Sequence, residues 1–271
     1  MKSSDSKSKT QAIAAKVAVV LLLLVGVVVA ITSPAEAEDA EVAGWVLDSD
    51  GTVTPFGGAP SHGSSSGTGQ AVSLVANDAG SGYWVLWSNG GLTAHGTAKL
   101  FGDGVGNNDA SGFALNRPAI SLSVLPAENG YIILAADGGV FTFGAAEFYG
   151  SVPQVSPAAA VSTTAVAIQL ETNGYRIIHD DGGVFAFNVP FGGSIPGVLG
   201  DVPLAQPIVD SVSGPNGTYA MVAADGGVFA FGLDFAGSLG GTGRTDIVGA
   251  AEDGIGGYAL VTENGTVHWW R

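Results

Sequence analysis

Three stretches pair an acid with glycines: Asp137-Gly138-Gly139, Asp181-Gly182-Gly183 and Asp225-Gly226-Gly227. A carboxylate beside flexible glycines is the make-up of many metal and phosphate loops. Four histidines, His62, His95, His179 and His268, are the residues suited to proton transfer or metal ligation near neutral pH. The segment 103–117 is rich in Asp, Asn and Gly and offers ligand oxygens on Asp103, Asn107 and Asp109. Trp45, Trp84, Trp87, Trp269 and Trp270 are aromatic platforms of the kind that stack on sugars. Cysteine is absent, which excludes a thiol nucleophile, a disulfide framework and a thiolate zinc site.

These candidates sit in a repeat. Six segments align on one pattern, an aromatic followed by five residues, Asp or Asn, and Gly, starting at residues 44, 83, 131, 175, 219 and 258, the first with Gly44 in the aromatic's place and Trp45 beside it. "YIILAADGGVFTFG" from 131 and "YAMVAADGGVFAFG" from 219 are the clearest copies. Gly51, Gly90, Gly138, Gly182, Gly226 and Gly265 hold one column; Asp50, Asn89, Asp137, Asp181, Asp225 and Asn264 hold the one before it. A carboxylate with a chemical task would not exchange freely with an amide. A hairpin turn of type I′ selects Asn-Gly or Asp-Gly, so the acid-glycine motif reads as the turn of a repeated hairpin. An F-x-G-S element follows each central hairpin ("FYGS" at 148–151, "FGGS" at 191–194, "FAGS" at 235–238), and a strand of small residues precedes it. Four short strands in about 44 residues is the content of a β-propeller blade. The expected fold is therefore all-β: a β-propeller of six four-stranded blades, with five or seven as alternatives.

The repeat also weighs the candidates. The histidines fall in four different columns, those of Tyr149 (His62), Phe143 (His95), Ala135 (His179) and Phe229 (His268), as packing substitutions would. No metal site is expected from them. Trp45 and Trp84 share a packing register, whereas Trp87 stands where other repeats carry Ala135 and Ala223. The 103–117 segment lacks the D-x-[DN]-x-[DN]-G spacing of a calcium loop, so calcium is a weak expectation and no other cofactor is expected. No G-x-S-x-G, H-E-x-x-H or P-loop is present, and "GGTGRT" at 240–245 lacks the lysine ending. Binding is therefore to be sought where repeats disagree: Trp87, His179, Asp103, Asn107 and Asp109. No catalytic residue is singled out.

The N-terminus reads as a targeting segment. Lys2, Lys7, Lys9 and Lys16 precede an apolar run from Val17 to Ile31, and Ala35-Glu36-Ala37 suits cleavage after Ala37. The alternative is an uncleaved helical anchor over residues 12–31. The expected organisation is leader or anchor 1–37, acidic linker 38–43 and repeat domain 44–271. Beyond residue 37 the sequence holds 22 acids and 5 Lys/Arg, a net charge of −17, which repels nucleic acid and anionic membranes.

The "GYxxxAADGGVFxFG…FYGS" pattern over residues 44–270 resembles the repeats of about 45 residues in secreted actinobacterial proteins. The resemblance implies an extracellular array, alone or joined to hydrolases of cell wall or polymer, and defines no reaction. The expectation is an exported, monomeric, non-catalytic binding or scaffold module, with cell-envelope carbohydrate or protein as partner. The alternative is an extracellular hydrolase or lyase of polysaccharide or peptide, with a site assembled between blades.

Overall fold

A computed structural model describes residues 28–32, 43–106, 114–200, 202–252 and 257–270. The chain forms six three-stranded antiparallel sheets in sequence order. Sheet 1 holds β1 (Val28–Thr32), β2 (Ala43–Leu47) and β3 (Val53–Phe56); sheet 2 holds β4 (Ala71–Ala76), β5 (Gly82–Trp87) and β6 (Leu92–Gly96). Sheet 3 holds β7 (Ala119–Val124), β8 (Gly130–Ala135) and β9 (Val140–Gly144); sheet 4 holds β10 (Ala165–Glu171), β11 (Gly174–His179) and β12 (Val184–Phe187). Sheet 5 holds β13 (Ile208–Ser213), β14 (Tyr219–Ala223) and β15 (Val228–Phe231); sheet 6 holds β16 (Ile247–Glu252), β17 (Tyr258–Thr262) and β18 (Val267–Trp270). Three short helices, α1 (Val152–Val155), α2 (Pro157–Ser162) and α3 (Ile195–Leu199), lie in the crossings between sheets. None of the described helices is long and apolar enough to cross a membrane.

The all-β repeat is as expected, but each described sheet has three strands rather than four. The F-x-G-S element is an extended strap wedged against the next sheet, because a tyrosine takes up the backbone groups a fourth strand would pair. The Tyr175 hydroxyl accepts from the Tyr149 and Gly150 N–H groups, both at 3.1 Å, and donates to the Gly150 carbonyl at 2.6 Å. Tyr258 does the same at Ala236 and Gly237, Tyr131 at Phe101 and Gly102, and Tyr219 and Tyr83 donate to the Gly193 and Gly63 carbonyls. All five tyrosines are buried to within 1 %. A buried phenol must place its hydroxyl on a partner, so each ring both fills the space between sheets and ties the preceding strap down. The strap glycine has to be small: a Cβ on Gly150 or Gly193 would lie 2.6 Å from the Phe187 or Phe231 ring.

The turn also differs from expectation. The Gly138 N–H donates to the Ala135 carbonyl at 2.9 Å and Gly138 has φ +76°, whereas Asp137 is not left-handed. This is a three-residue loop: a type I turn, then a left-handed glycine forming a bulge. The acid's task is to accept through Oδ1 from the N–H two residues on. Asp50, Asn89, Asp137, Asp181, Asp225 and Asn264 all do so, at 2.7–3.0 Å. Asp and Asn interchange because both carry that oxygen.

Backbone bonds weld successive sheets beside the turns. The first inner-strand N–H donates to the carbonyl ahead of the previous sheet's turn: Ala71 to Ser49, Ala119 to Ser88, Ala165 to Ala136, Ile208 to Asp180 and Ile247 to Ala224. The middle strands β5, β8, β11, β14 and β17 are buried along their whole length, as double-sided apolar strands must be. The outer strands β9, β12, β15 and β18 are largely half-buried, so their cover is incomplete.

At the N-terminus the expected helix over the apolar run is not seen where the chain is described. Val28–Thr32 is strand β1, paired with β2, and four of its five residues are β-branched. Residues 17–27 of the apolar run, the cleavage site at Ala37 and residues 38–42 of the expected linker 38–43 lie outside the described residues, and Ala43, the last of that linker, opens β2.

Candidate functional site

The inner strands converge. Side chains of β7, β10, β13 and β16 line a cavity of about 150 Å³, into which Ser121, Ser123, Gln169, Asp210, Ser211 and Glu252 bring polar groups. Inner strands place small residues here because space narrows where strands meet. Five of them carry a β-bulge at one position, after Ala71, Ala119, Ala165, Ile208 and Ile247. The residue beyond the bulge is Ser73, Ser121, Ala167, Asp210 or Gly249. Ser73 accepts from the Leu122 N–H of the next inner strand at 3.3 Å. Asp210 repeats that contact with the Ala250 N–H at 2.9 Å and also accepts from the Ser211 N–H at 2.7 Å. Asp210 is half-buried in the inner strand, and the loss of water around its carboxylate pushes its pKa up to about 7, against the pull of those two N–H donors.

A second polar network leads outward from the cavity. Gln169 donates to the Ser211 hydroxyl at 2.9 Å and accepts from Arg176 at 3.5 Å. Arg176, 2 % exposed, pairs with Glu171 and stacks over the Tyr219 ring at 4.7 Å. Its column otherwise holds Trp45, Trp84, Ile132, Ala220 and Ala259, so a charge in an apolar column is the sequence signal that could have found it. A buried arginine needs such partners, since an unpaired one is costly.

A third cluster joins sheets 1 and 2. The Ser65 hydroxyl lies 2.7 Å from His95 Nε2, and His95 Nδ1 faces the His62 carbonyl at 3.3 Å. The His95 ring stacks on Tyr83 at 5.1 Å. A hydroxyl, an imidazole and an acceptor that orients the imidazole form the arrangement of an activated serine. Sequence reasoning missed it because 30 residues separate Ser65 from His95; only the strap brings them together.

Of the residues singled out from sequence, the three that are described, Trp87, His179 and Asp103, each sit in separate surroundings. Trp87 is 3 % exposed and packs in one core with Trp45, Leu47 and Tyr83; a Cβ on Gly67 would meet its ring at 2.4 Å. His179 is fully buried against Phe185. Thr163 donates to the Ala159 carbonyl, so its oxygen accepts the Nδ1–H of His179 at 2.6 Å. Burial lowers the His179 pKa and holds the ring neutral. Asp103 is buried and accepts from the Leu92 N–H at 3.0 Å and the Val105 N–H at 3.1 Å. Asn107 and Asp109 lie outside the described residues. Among the described residues no three His, Asp or Glu side chains gather closely enough to hold a metal ion.

The surface carries a feature that sequence reading absorbed into the supposed fourth strand. Phe148, Phe191 and Phe235 lead three successive straps and are 48 %, 61 % and 60 % exposed. The straps fix their backbones while the rings face water. No protein-family model matches the sequence, and comparison with curated proteins gives no match.

Proposed function

We propose that this chain is an exported, non-catalytic binding or scaffold module whose six sheets close into a propeller, and that the strap phenylalanines form its contact surface. Kinship with the secreted actinobacterial repeat proteins, a monomeric state and a cell-envelope carbohydrate or protein as partner belong to the same proposal. The observation that carries it is the repeated exposure of Phe148, Phe191 and Phe235 on clamped straps. A single exposed apolar residue is ordinary, but three in one repeat column point to an interaction surface. Rigid backbones also lower the ordering cost of binding. A glycan array run beside a co-sedimentation assay on cell-envelope fractions tests it. Retention by either supports the reading, and no retention by both contradicts it.

A second reading, an extracellular hydrolase with a site assembled between blades, is favoured by the Ser65–His95 pair. A fluorophosphonate probe separates the two. Labelling that disappears in Ser65→Ala establishes the hydrolase, and a chain left unlabelled removes it.

A further inference from the structure

We propose that the groove between the turn of sheet 4 and the crossing to sheet 5 binds a lysine side chain of a partner protein, its aliphatic stem along the groove and its ammonium on Asp180 and Asp181. The site does not rest on the function proposed for the strap phenylalanines.

The groove follows from the path of the chain. The turn after β11 carries Asp180 and Asp181, and the crossing that leads to β13 lays α3 and part of the segment after it beside that turn. The Ile208 N–H donates to the Asp180 carbonyl at 2.8 Å and ties the end of the crossing to the turn. Between them lies a cavity of about 350 Å³, near the lower end of the roughly 300–1,000 Å³ usual for ligand sites. Pro196, Pro203 and Pro207 stand in its walls. Each has a fixed φ, so less order has to be imposed when a ligand enters.

The lining sorts by chemistry. Ile195, Val202 and Leu204 supply aliphatic surface, and its charged groups are the two carboxylates. The column of Asp180 otherwise holds Ser49, Ser88, Ala136, Ala224 and Glu263, so this turn alone sets an aspartate ahead of its own turn aspartate. Each acid spends one oxygen on the backbone. Asp180 Oδ1 accepts from the Thr164 N–H at 3.0 Å, and Asp181 Oδ1 accepts from the Gly183 N–H at 2.7 Å. The second oxygen of each accepts no hydrogen bond among the described residues. No described cation offsets them in an ion pair: Arg176 pairs with Glu171 and Arg244 with Asp246. Arg117 gives its N–H groups to the Thr163 carbonyl and the Thr164 hydroxyl, and burial holds His179 neutral. Two uncompensated charges at the side of an apolar groove call for a cation with an apolar body.

The walls select which cation. No described aromatic ring lines the groove, so nothing there stacks on a guanidinium or cages a quaternary ammonium. A lysine brings a compact charge with several donors on a flexible stem that lies along aliphatic surface. The acidic balance of the chain draws a basic partner toward it.

The test uses the full chain, labelled with nitrogen-15, and follows its amide shifts by NMR. Three probes are titrated: Nα-acetyl-lysine N-methylamide, the norleucine analogue, which keeps the stem and lacks the ammonium, and the arginine analogue. The lysine probe should shift the amides of Asp181, Ile195 and Leu204 saturably. The norleucine probe should bind at least about tenfold more weakly, and the arginine probe more weakly than lysine. The double variant Asp180→Asn, Asp181→Asn keeps both Oδ1 acceptors and so the turn. It should retain the parent spectrum away from the groove and bind the lysine probe at least about tenfold more weakly. Equal binding of the lysine and norleucine probes, unchanged binding by the double variant, or no shift at these amides overturns the site. An arginine probe that binds as tightly as lysine overturns the choice of lysine.

Discussion

Replacing the clasp tyrosines with phenylalanine, one at a time, tests whether straps and sheets are held as described. Each change removes a single oxygen, but that oxygen serves different numbers of partners. Tyr175 satisfies two N–H groups and a carbonyl, Tyr131 one of each, and Tyr219 one carbonyl. A neutral hydrogen bond contributes about 1 kcal/mol net, and a buried group left without a partner costs about 1–3 kcal/mol. A carbonyl stranded alone at Gly193 sets the cost of Tyr219→Phe at about 1 kcal/mol. Tyr131→Phe should cost about 2 kcal/mol, and Tyr175→Phe, which strands three groups beside the buried Gly150, about 3 kcal/mol. For a domain of this size the last corresponds to a fall in Tm of roughly 6–12 °C. Urea unfolding followed by circular dichroism gives the three values directly. The reasoning fails if Tyr219→Phe is as damaging as Tyr175→Phe, or if Tyr175→Phe falls within about 0.5 kcal/mol of the parent, as a surface change would.

Other outcomes follow from the same structure. Gly226 and Gly265 share left-handed backbones, φ +79° and +83°, but a Cβ meets Leu239 at 2.5 Å in the first case and nothing within 4 Å in the second. Gly265→Ala should therefore cost about 1–2 kcal/mol and Gly226→Ala clearly more, read by chemical denaturation. Asp225→Asn keeps the Oδ1 acceptor for Gly227 and should leave stability within about 0.5 kcal/mol of the parent. Asp210 has a folded pKa raised from 3.8 to about 7, so the native state holds an extra proton between those values. That stability is complete below about pH 4 and is lost as the pH rises through 7, by at most about 4 kcal/mol. The Tm of the parent should thus fall between pH 5 and pH 8 relative to Asp210→Asn, and parallel curves would count against the assignment.

Much of the frame was legible because it repeats. The Asp/Asn-Gly column located every hairpin, and the small-residue strand ahead of each completed the set of three. The type I turn with its bulge was misread as type I′ because both choose the same residues; only the backbone angle of the acid separates them. The strap was taken for a fourth strand because Phe, Gly and Ser say nothing of where their backbone groups are satisfied. The partner is a tyrosine 20–29 residues further on in the chain, in the next repeat. Sites were less legible for a related reason. Trp87 and His179 stood out as departures from the repeat, yet an odd residue in a buried column is accommodated by its neighbours, here Gly67 and Thr163. Arg176 and Asp210 were equally odd in their columns, but their partners come from different sheets. The exposed phenylalanines were hidden by their regularity, since a repeated aromatic reads as core until its exposure is known.

The contact surface is tested most directly by one comparison. The triple variant Phe148→Ser, Phe191→Ser, Phe235→Ser is placed beside the parent in co-sedimentation with a cell-envelope fraction, with Tm recorded for both. The rings face water, so Tm should change by less than about 4 °C while retention falls at least tenfold. Retention unchanged at an unchanged Tm would show that the partner is bound elsewhere and would contradict the account.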